Sequence, residues 1–133
     1  MKITQRDLNT IYSALGISGL TGVAPEEIVK IVKMRKAMRP HFDSYKAFDE
    51  DVRKAQEDYE RLAEIEQLGD KASAEDKAWF AEHIQHFVEC VNMAIIPELN
   101  KEIEIEAEAL LPETIAVIAA RVNIPLTTLE SII

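Results

Sequence analysis

One cysteine, four glycines and a single tryptophan are few for a chain of 133 residues. Each shortage excludes something. A lone cysteine, Cys90, cannot build an internal disulfide framework and fits a reducing compartment, with a secreted disulfide-linked dimer as the remote alternative. Three of the four glycines fall in "GISGLTGV" (16–23), which lacks the lysine of a phosphate-binding loop. No apolar run approaches the ~20 residues needed to cross a bilayer. The opening "MKITQRDLNT" has no apolar stretch like that of a signal peptide. Basic residues are also short, 15 against 24 acidic ones. The resulting net charge of −9 works against non-specific nucleic-acid binding, which depends on lysine and arginine neutralising phosphates. The expectation is a soluble protein of the cytoplasmic type.

What is present is globular in composition, 47% hydrophobic and 29% charged. The length predicts one domain, 1–133, large enough to bury roughly two-thirds of its unfolded surface. Charge is unevenly placed. "KIVKMRKAMR" (30–39) is a basic block, whereas residues 98–113 carry six glutamates and one lysine. Either these are two solvated surfaces or the two blocks meet, within one chain or between subunits.

Thr4 is positioned to cap a first helix over 5–15, with Leu8, Ile11, Tyr12 and Leu15 on one face and Gly16 ending it. Pro25, Glu26 and Glu27 open the next helix, where a first-turn proline and acids near the positive dipole end are favourable. From there Ile31, Met34, Met38, His41, Tyr45, Phe48, Val52, Ala55, Tyr59 and Leu62 recur at alternating spacings of three and four. That is the rhythm of a coiled coil or long hairpin. One helix over 25–67 would be roughly 65 Å long at ~1.5 Å per residue. Pro40 interrupts the run without shifting its phase, which predicts a kink or two helices in near register. "LGDKASAEDK" (68–77) reads as a turn, with Gly69 ending one helix and Ser73 with Asp76 starting the next. The second helix covers 74–96, with Phe80, Ile84, Phe87, Val88, Val91, Ala94 and Ile95 on one face, and Pro97 marks its end or a kink. Two amphipathic helices joined by a short turn predict an antiparallel hairpin.

In "NKEIEIEAEALLP" (100–112) glutamate alternates with Ile or Ala. Period two favours a strand with Glu102, Glu104, Glu106 and Glu108 on one face, although Glu and Ala also suit a helical continuation. A lone strand needs a partner, and Lys2-Ile3-Thr4 is the candidate. The tail predicts two short helices, the first starting at Pro112 and the second capped by Thr127 or Thr128.

Chemical motifs are sparse. His83, His86 and Cys90 lie at i, i+3 and i+7, the residue types and spacing of a zinc site, but no second Cys or His pair completes four ligands. Trp79 and Met93 extend the same stripe, which reads better as a second, mildly polar packing face. The chain contains no Gly-x-Ser-x-Gly elbow, and Cys90 lies beside apolar Val91 rather than among cations. The expectation is no enzyme, no cofactor and no metal. "TIAVIAARVNIPLTTLESII" (114–133) is similar to a helix-turn-helix, but its second helix carries Glu130 and no base, and Arg121 is the only cation nearby. The basic block on its helix could lie on a membrane surface, a reading that the acidic chain opposes.

"MKITQRDLNTIYSAL", "EIVKIVKMRKAMRPHFDSYKAFDEDVRKA" and the late acidic "LNKEIEIEAEALLP" with its short helical tail resemble a group of small bacteriophage and prophage proteins of unknown function. The resemblance implies a helical hairpin whose ends are tied by a small sheet, in a viral or mobile-element setting. It carries no catalytic residues. Pro40 and the helix-turn-helix-like tail depart from the pattern.

The fold expected is therefore mainly α: a long antiparallel helical hairpin, an N-terminal helix and a small strand element near the C-terminus. The function expected is that of a non-enzymatic phage-type structural or assembly accessory, in the bacterial host cell or associated with the virion. Its partner would be a protein, with self-association one form, met through Met38, Tyr45, Phe48, Val52 and Tyr59. The alternative is a small DNA-binding regulator using residues 113–133. The glutamate face would be solvent-facing, its charge blunting an exposed strand edge.

Overall fold

A computed structural model of the chain describes residues 1–129 and 132. Strand β1 (Lys2–Thr4) leads directly into helix α1 (Gln5–Ala14), and α2 (Pro25–Lys54) and α3 (Tyr59–Leu68) follow. A single 3-10 turn, Gly69–Lys71, precedes α4 (Ala74–Leu99), then come strand β2 (Glu102–Glu104), α5 (Pro112–Arg121) and α6 (Leu126–Leu129). The molecule is mainly helical, with a long helix pair, an N-terminal helix and one small antiparallel sheet.

The chain forms two compact units, one of residues Met1–Tyr45 with Leu99–Ile133 and one of Lys46–Glu98. In the first, the α1 face predicted from spacing is buried: Leu8 and Ile11 are fully enclosed, with Tyr12 and Leu15 nearly so. Ile31, Met34 and Met38 of α2 join them in one apolar cluster, and Ile105, Leu110, Ile115, Ile118, Leu129 and Ile132 complete it. Thr4 caps α1 as expected, its Oγ1 accepting from the Asp7 N–H at 3.2 Å. The sheet pairs Lys2 with Glu104, Ile3 with Ile103 and Thr4 with Glu102. Its ladder extends at both ends, with Gln5 N–H donating to Lys101 O and Ile105 N–H to Met1 O, each at 2.9 Å.

The acidic stretch is thus extended, not helical, but its paired part is three residues long. The alternation outlasts the pairing. Ile105 is buried and Ala107 half-buried, while Glu104, Glu106 and Glu108 face outward. Ala109 departs from it and is exposed, and Leu110 takes the next inward place.

Helix α2 runs through Pro40 without ending. Proline removes one hydrogen bond to the Lys36 carbonyl, and both residues are exposed, so that carbonyl is open to solvent rather than buried unpaired. The helix ends later, at 55–58, in a stretch with neither glycine nor proline. There Gln56 N–H turns back to Arg53 O (3.2 Å), and the Gln56 side-chain amide donates to the Val52 carbonyl it has left (3.1 Å). That side chain closes α2, and α3 begins three residues on. The three-four apolar series therefore spans two helices, and Ala55 lies in the break between them.

The second unit buries Leu62 and Ile65 of α3 and Phe87, Val91 and Ile95 of α4. Val88 and Ala94, expected on that same α4 face, are exposed instead. Gly69 closes α3 at a positive φ of 54°, a conformation that only glycine adopts cheaply. Ser73 Oγ accepts from Asp76 N–H at 3.1 Å and starts α4, which continues through Pro97 to Leu99. In the tail, Thr128 is inside α6 rather than capping it, and its hydroxyl donates to Asp7 Oδ1 at 3.2 Å.

Candidate functional site

The basic and acidic blocks meet within the first unit. Their members divide into three groups. Arg35 and Arg39 turn toward Tyr12. Arg35 Nε donates to the Tyr12 carbonyl at 3.2 Å with its guanidinium 4.1 Å from the ring centroid, and Arg39 Nε donates to the Tyr12 hydroxyl at 3.2 Å. Phe42 stacks on the same ring at 4.4 Å. The Tyr12 hydroxyl beside Arg39 raises the guanidinium's pKa further. Gly16 makes room for this clamp, because a Cβ there would stand 3.1 Å from Arg35 Nη2.

Lys30 forms the second group. It pairs with Glu27 at 3.0 Å and reaches Glu108 at 4.0 Å. Glu27 is 2% exposed, rare for a carboxylate. Its Oε1 accepts from the Leu111 N–H at 2.7 Å and the Thr114 hydroxyl at 2.8 Å. Leu111 and Thr114 belong to the start of α5, whose own N-cap residue offers no side-chain acceptor. Glu27 thus caps α5 from another helix, at the positive end of its dipole. The Leu111 hydrogen bond holds the Glu27 pKa below its ordinary value of 4.5, burial opposes this, and Thr114 and Lys30 add to the lowering.

Lys33 and Lys36 form the third group and line open space. A groove of about 700 Å³ lies between α2 (Glu26, Val29, Lys30, Lys33) and the extended segment Glu104–Glu108, with Met1 at one side. A shallower depression of about 420 Å³ shares Lys33 and Glu104–Glu106 with it and adds Lys36, Ala37 and His41. Val29 is 50% exposed on the helix wall. Volumes of this order are typical of ligand and peptide sites.

The residues singled out for contact fall elsewhere. Met38 is completely buried in the first unit's core, so it serves intramolecular packing and is withdrawn from the contact set. Tyr45, Phe48, Val52 and Tyr59 are each half-buried. The exposed large apolar side chains of the second unit are Leu68 at the end of α3 (42%) and, on α4, Val88 (42%), Ile96 (44%) and Met93 (79%). Met93 and Ile96, three residues apart, lie on one side of the helix, turned from Phe87, Val91 and Ile95, whereas Val88, three residues before Val91 and seven before Ile95, borders that buried face. Met93 is therefore not part of an internal packing face, although Trp79 of the same predicted stripe does pack. The Arg61 guanidinium lies 4.1 Å from the Trp79 ring and His83 stacks on it at 4.2 Å.

The metal candidates do not converge. His83 Nδ1 is 2.7 Å from the Trp79 carbonyl, while His86 Nε2 faces Cys90 Sγ at 3.5 Å. Among the described residues no group of three or more His, Cys, Asp or Glu is arranged to hold a metal ion. A small cavity of about 110 Å³ beside the His86–Cys90 pair is lined by Gln56, Glu57 and Asp58. Arg121, the base required by the DNA-binding alternative, donates through Nη1 to the Ser18 carbonyl at 2.7 Å. Helix α6 has four residues, and Glu130 lies outside the described residues. No described helix is long and apolar enough to cross a membrane.

The sequence marked the two charged blocks and left open whether they meet. It gave no sign that Val29 would be the apolar residue between them, because Val29 falls outside the three-four series. No family model matches the chain, and no curated protein or solved structure is significantly similar to it.

Proposed function

We propose that the protein is a non-enzymatic, phage-type structural or assembly accessory that works by protein–protein contact. The observation that carries this reading is the outward apolar pair of α4, Met93 and Ile96. Exposed apolar residues on a single helix face, rather than scattered singly, mark a surface that another chain covers. The half-buried Tyr45, Phe48 and Tyr59 supply aromatic side chains of the kind enriched at interfaces, with Val52 among them in the series. The viral setting rests on the resemblance of the opening, the long helix and the acidic alternation, and it places the protein in the host cell or on the virion.

Self-association is the form of contact tested first. Light scattering after size exclusion, over a tenfold concentration range, is expected to give a dimer or larger. Burying a Met or Ile side chain contributes about 1.5–3 kcal/mol. Met93→Asp with Ile96→Asp should therefore raise the dissociation constant at least about 100-fold and return a monomer with unchanged helical content. A wild-type monomer across the whole range would remove self-assembly, and a heterologous partner would then be sought on the same face.

A further inference from the structure

The backbone of the acidic segment carries more information than its side chains. Ile105 N–H bonds to Met1 O, Gln5 N–H bonds to Lys101 O, and Ile3 faces Ile103 midway between them. In an antiparallel pair such positions alternate, so Lys101, Ile103 and Ile105 turn their N–H and C=O groups toward β1. Glu104 and, by continuation, Glu106 turn theirs the other way. Among the described residues, no backbone hydrogen bond engages the outward N–H of Glu104, Glu106 or Glu108. The Glu104–Glu108 segment that carries this edge also lines the groove of about 700 Å³, whose other wall is α2. The edge from 104 to 108 is roughly 14 Å long at ~3.4 Å per residue.

We infer that this groove takes an extended segment of another protein as a third strand on β2, and that the segment alternates basic with apolar residues. Strand addition supplies the backbone hydrogen bonds that the edge lacks. The side chains follow from the pleat. Positions opposite Glu104, Glu106 and Glu108 share the glutamate face, where opposite charge is favourable across strands. Intervening positions share the face of Ile105 and Ala107 and meet Val29 across the groove, which calls for apolar residues. Two lysines line the groove, but Lys30 is already paired with Glu27. Glu26, Glu104, Glu106 and Glu108 then leave carboxylate in excess over Lys33 and the Met1 amine, which itself lies 3.1 Å from Glu104. A second copy of β2 does not fit, because it would set glutamate opposite glutamate. The acid row that protects the edge against its own kind thereby selects a basic partner. None of the α4 residues is involved, so the inference stands apart from the self-association reading.

The probe is an end-blocked, fluorescein-labelled octapeptide alternating valine with lysine, titrated into the full chain by anisotropy at ~0.15 M salt, where charges beyond about 8 Å are screened. Controls are the same composition with its lysines in one block, and a valine–glutamate alternation. The alternating valine–lysine peptide is expected to bind at least tenfold tighter than either control. Hydrogen exchange should show the Glu104 and Glu106 amides protected in the complex. Glu106→Pro, which removes an edge N–H that the fold does not use, should weaken binding at least tenfold while the melting temperature holds. If that variant melts early, the exchange experiment on the unaltered chain decides alone. Equal binding of the alternating and blocked peptides would reduce the effect to general attraction to an acidic protein and overturn the inference. So would no binding at millimolar peptide, or binding that leaves the Glu104 and Glu106 amides unprotected.

Discussion

Glu27 is a single carboxylate that ties α2, α5 and the Leu111 backbone together. Its folded pKa is depressed, so ionised Glu27 favours the folded state. That contribution is complete above the ordinary value of 4.5 and is lost as pH falls through the lower folded value. Acidification from pH 5 downward should therefore lower the melting temperature of the wild type more steeply than that of Glu27→Gln. The same variant at pH 7 should melt several degrees lower, read by circular dichroism. Parallel acid limbs would show that Glu27 titrates as if exposed. Met38 tests a different kind of residue. Met38→Ala should cost about 2–4 kcal/mol through lost transfer and a cavity and leave the molar mass unchanged, as core packing requires. In the sequence, Glu27 looked like an ordinary first-turn acid. Its partners, Leu111 and Thr114, lie more than 80 residues away, and no local pattern carries such a contact. Met38 was legible as an apolar position, but burial against the chain's own core and burial against a partner leave the same periodic mark.

At the scale of elements, α2 shows what local signals convey and what they omit. Proline is the strongest local breaker, yet α2 passes Pro40 and stops at a Gln-containing turn instead. Tertiary packing of Ile31, Met34 and Met38 on one side of Pro40 outweighs the lost hydrogen bond. Pro40→Ala should restore that bond. A helix-interior proline costs ~3 kcal/mol relative to alanine, and the freer unfolded chain returns up to ~1 kcal/mol of that. A net gain of roughly 2–3 kcal/mol should appear as a melting temperature several degrees higher. A lower one would mean that the bend itself is required. Periodicity found every long helix, the capping residues Thr4 and Ser73, and the pairing of the first strand with the acidic segment. The end of α2 escaped it because a side-chain amide, not a glycine or proline, makes that stop.

For the whole molecule, the two units differ in how much they bury. The first encloses a cluster of apolar residues drawn from both chain ends, and the second relies chiefly on Leu62, Ile65, Phe87, Val91 and Ile95. Local opening free energy follows buried apolar contact. Amides in α3 and the middle of α4 should therefore exchange before those in α1 and α5, measured by hydrogen exchange with mass spectrometry in the native state. The reverse order would mean that the second unit's stability comes from something other than its core, a covering partner being the first suspect. Length set the size, and the three-four apolar spacing set the helical class. The grouping of residues into two units was hidden, because the apolar rhythm of α2 runs unchanged from one into the other. The groove was half visible, as two charged blocks whose meeting depended on strand register.

The sheet also sets a clock for synthesis. Lys2 and Ile3 wait for Glu104 and Ile103, about 100 residues later, which at ~5–20 residues per second is roughly 5–20 s of translation. Through that interval Ile3 has no strand opposite it and Glu27 has no helix start to cap. Residues 46–98 are contiguous in the chain and are all made before β2 is. A released fragment ending at residue 100 should hold a formed second unit beside an unfinished first one, and only the last thirty residues convert the early segments from exposed apolar chain into core.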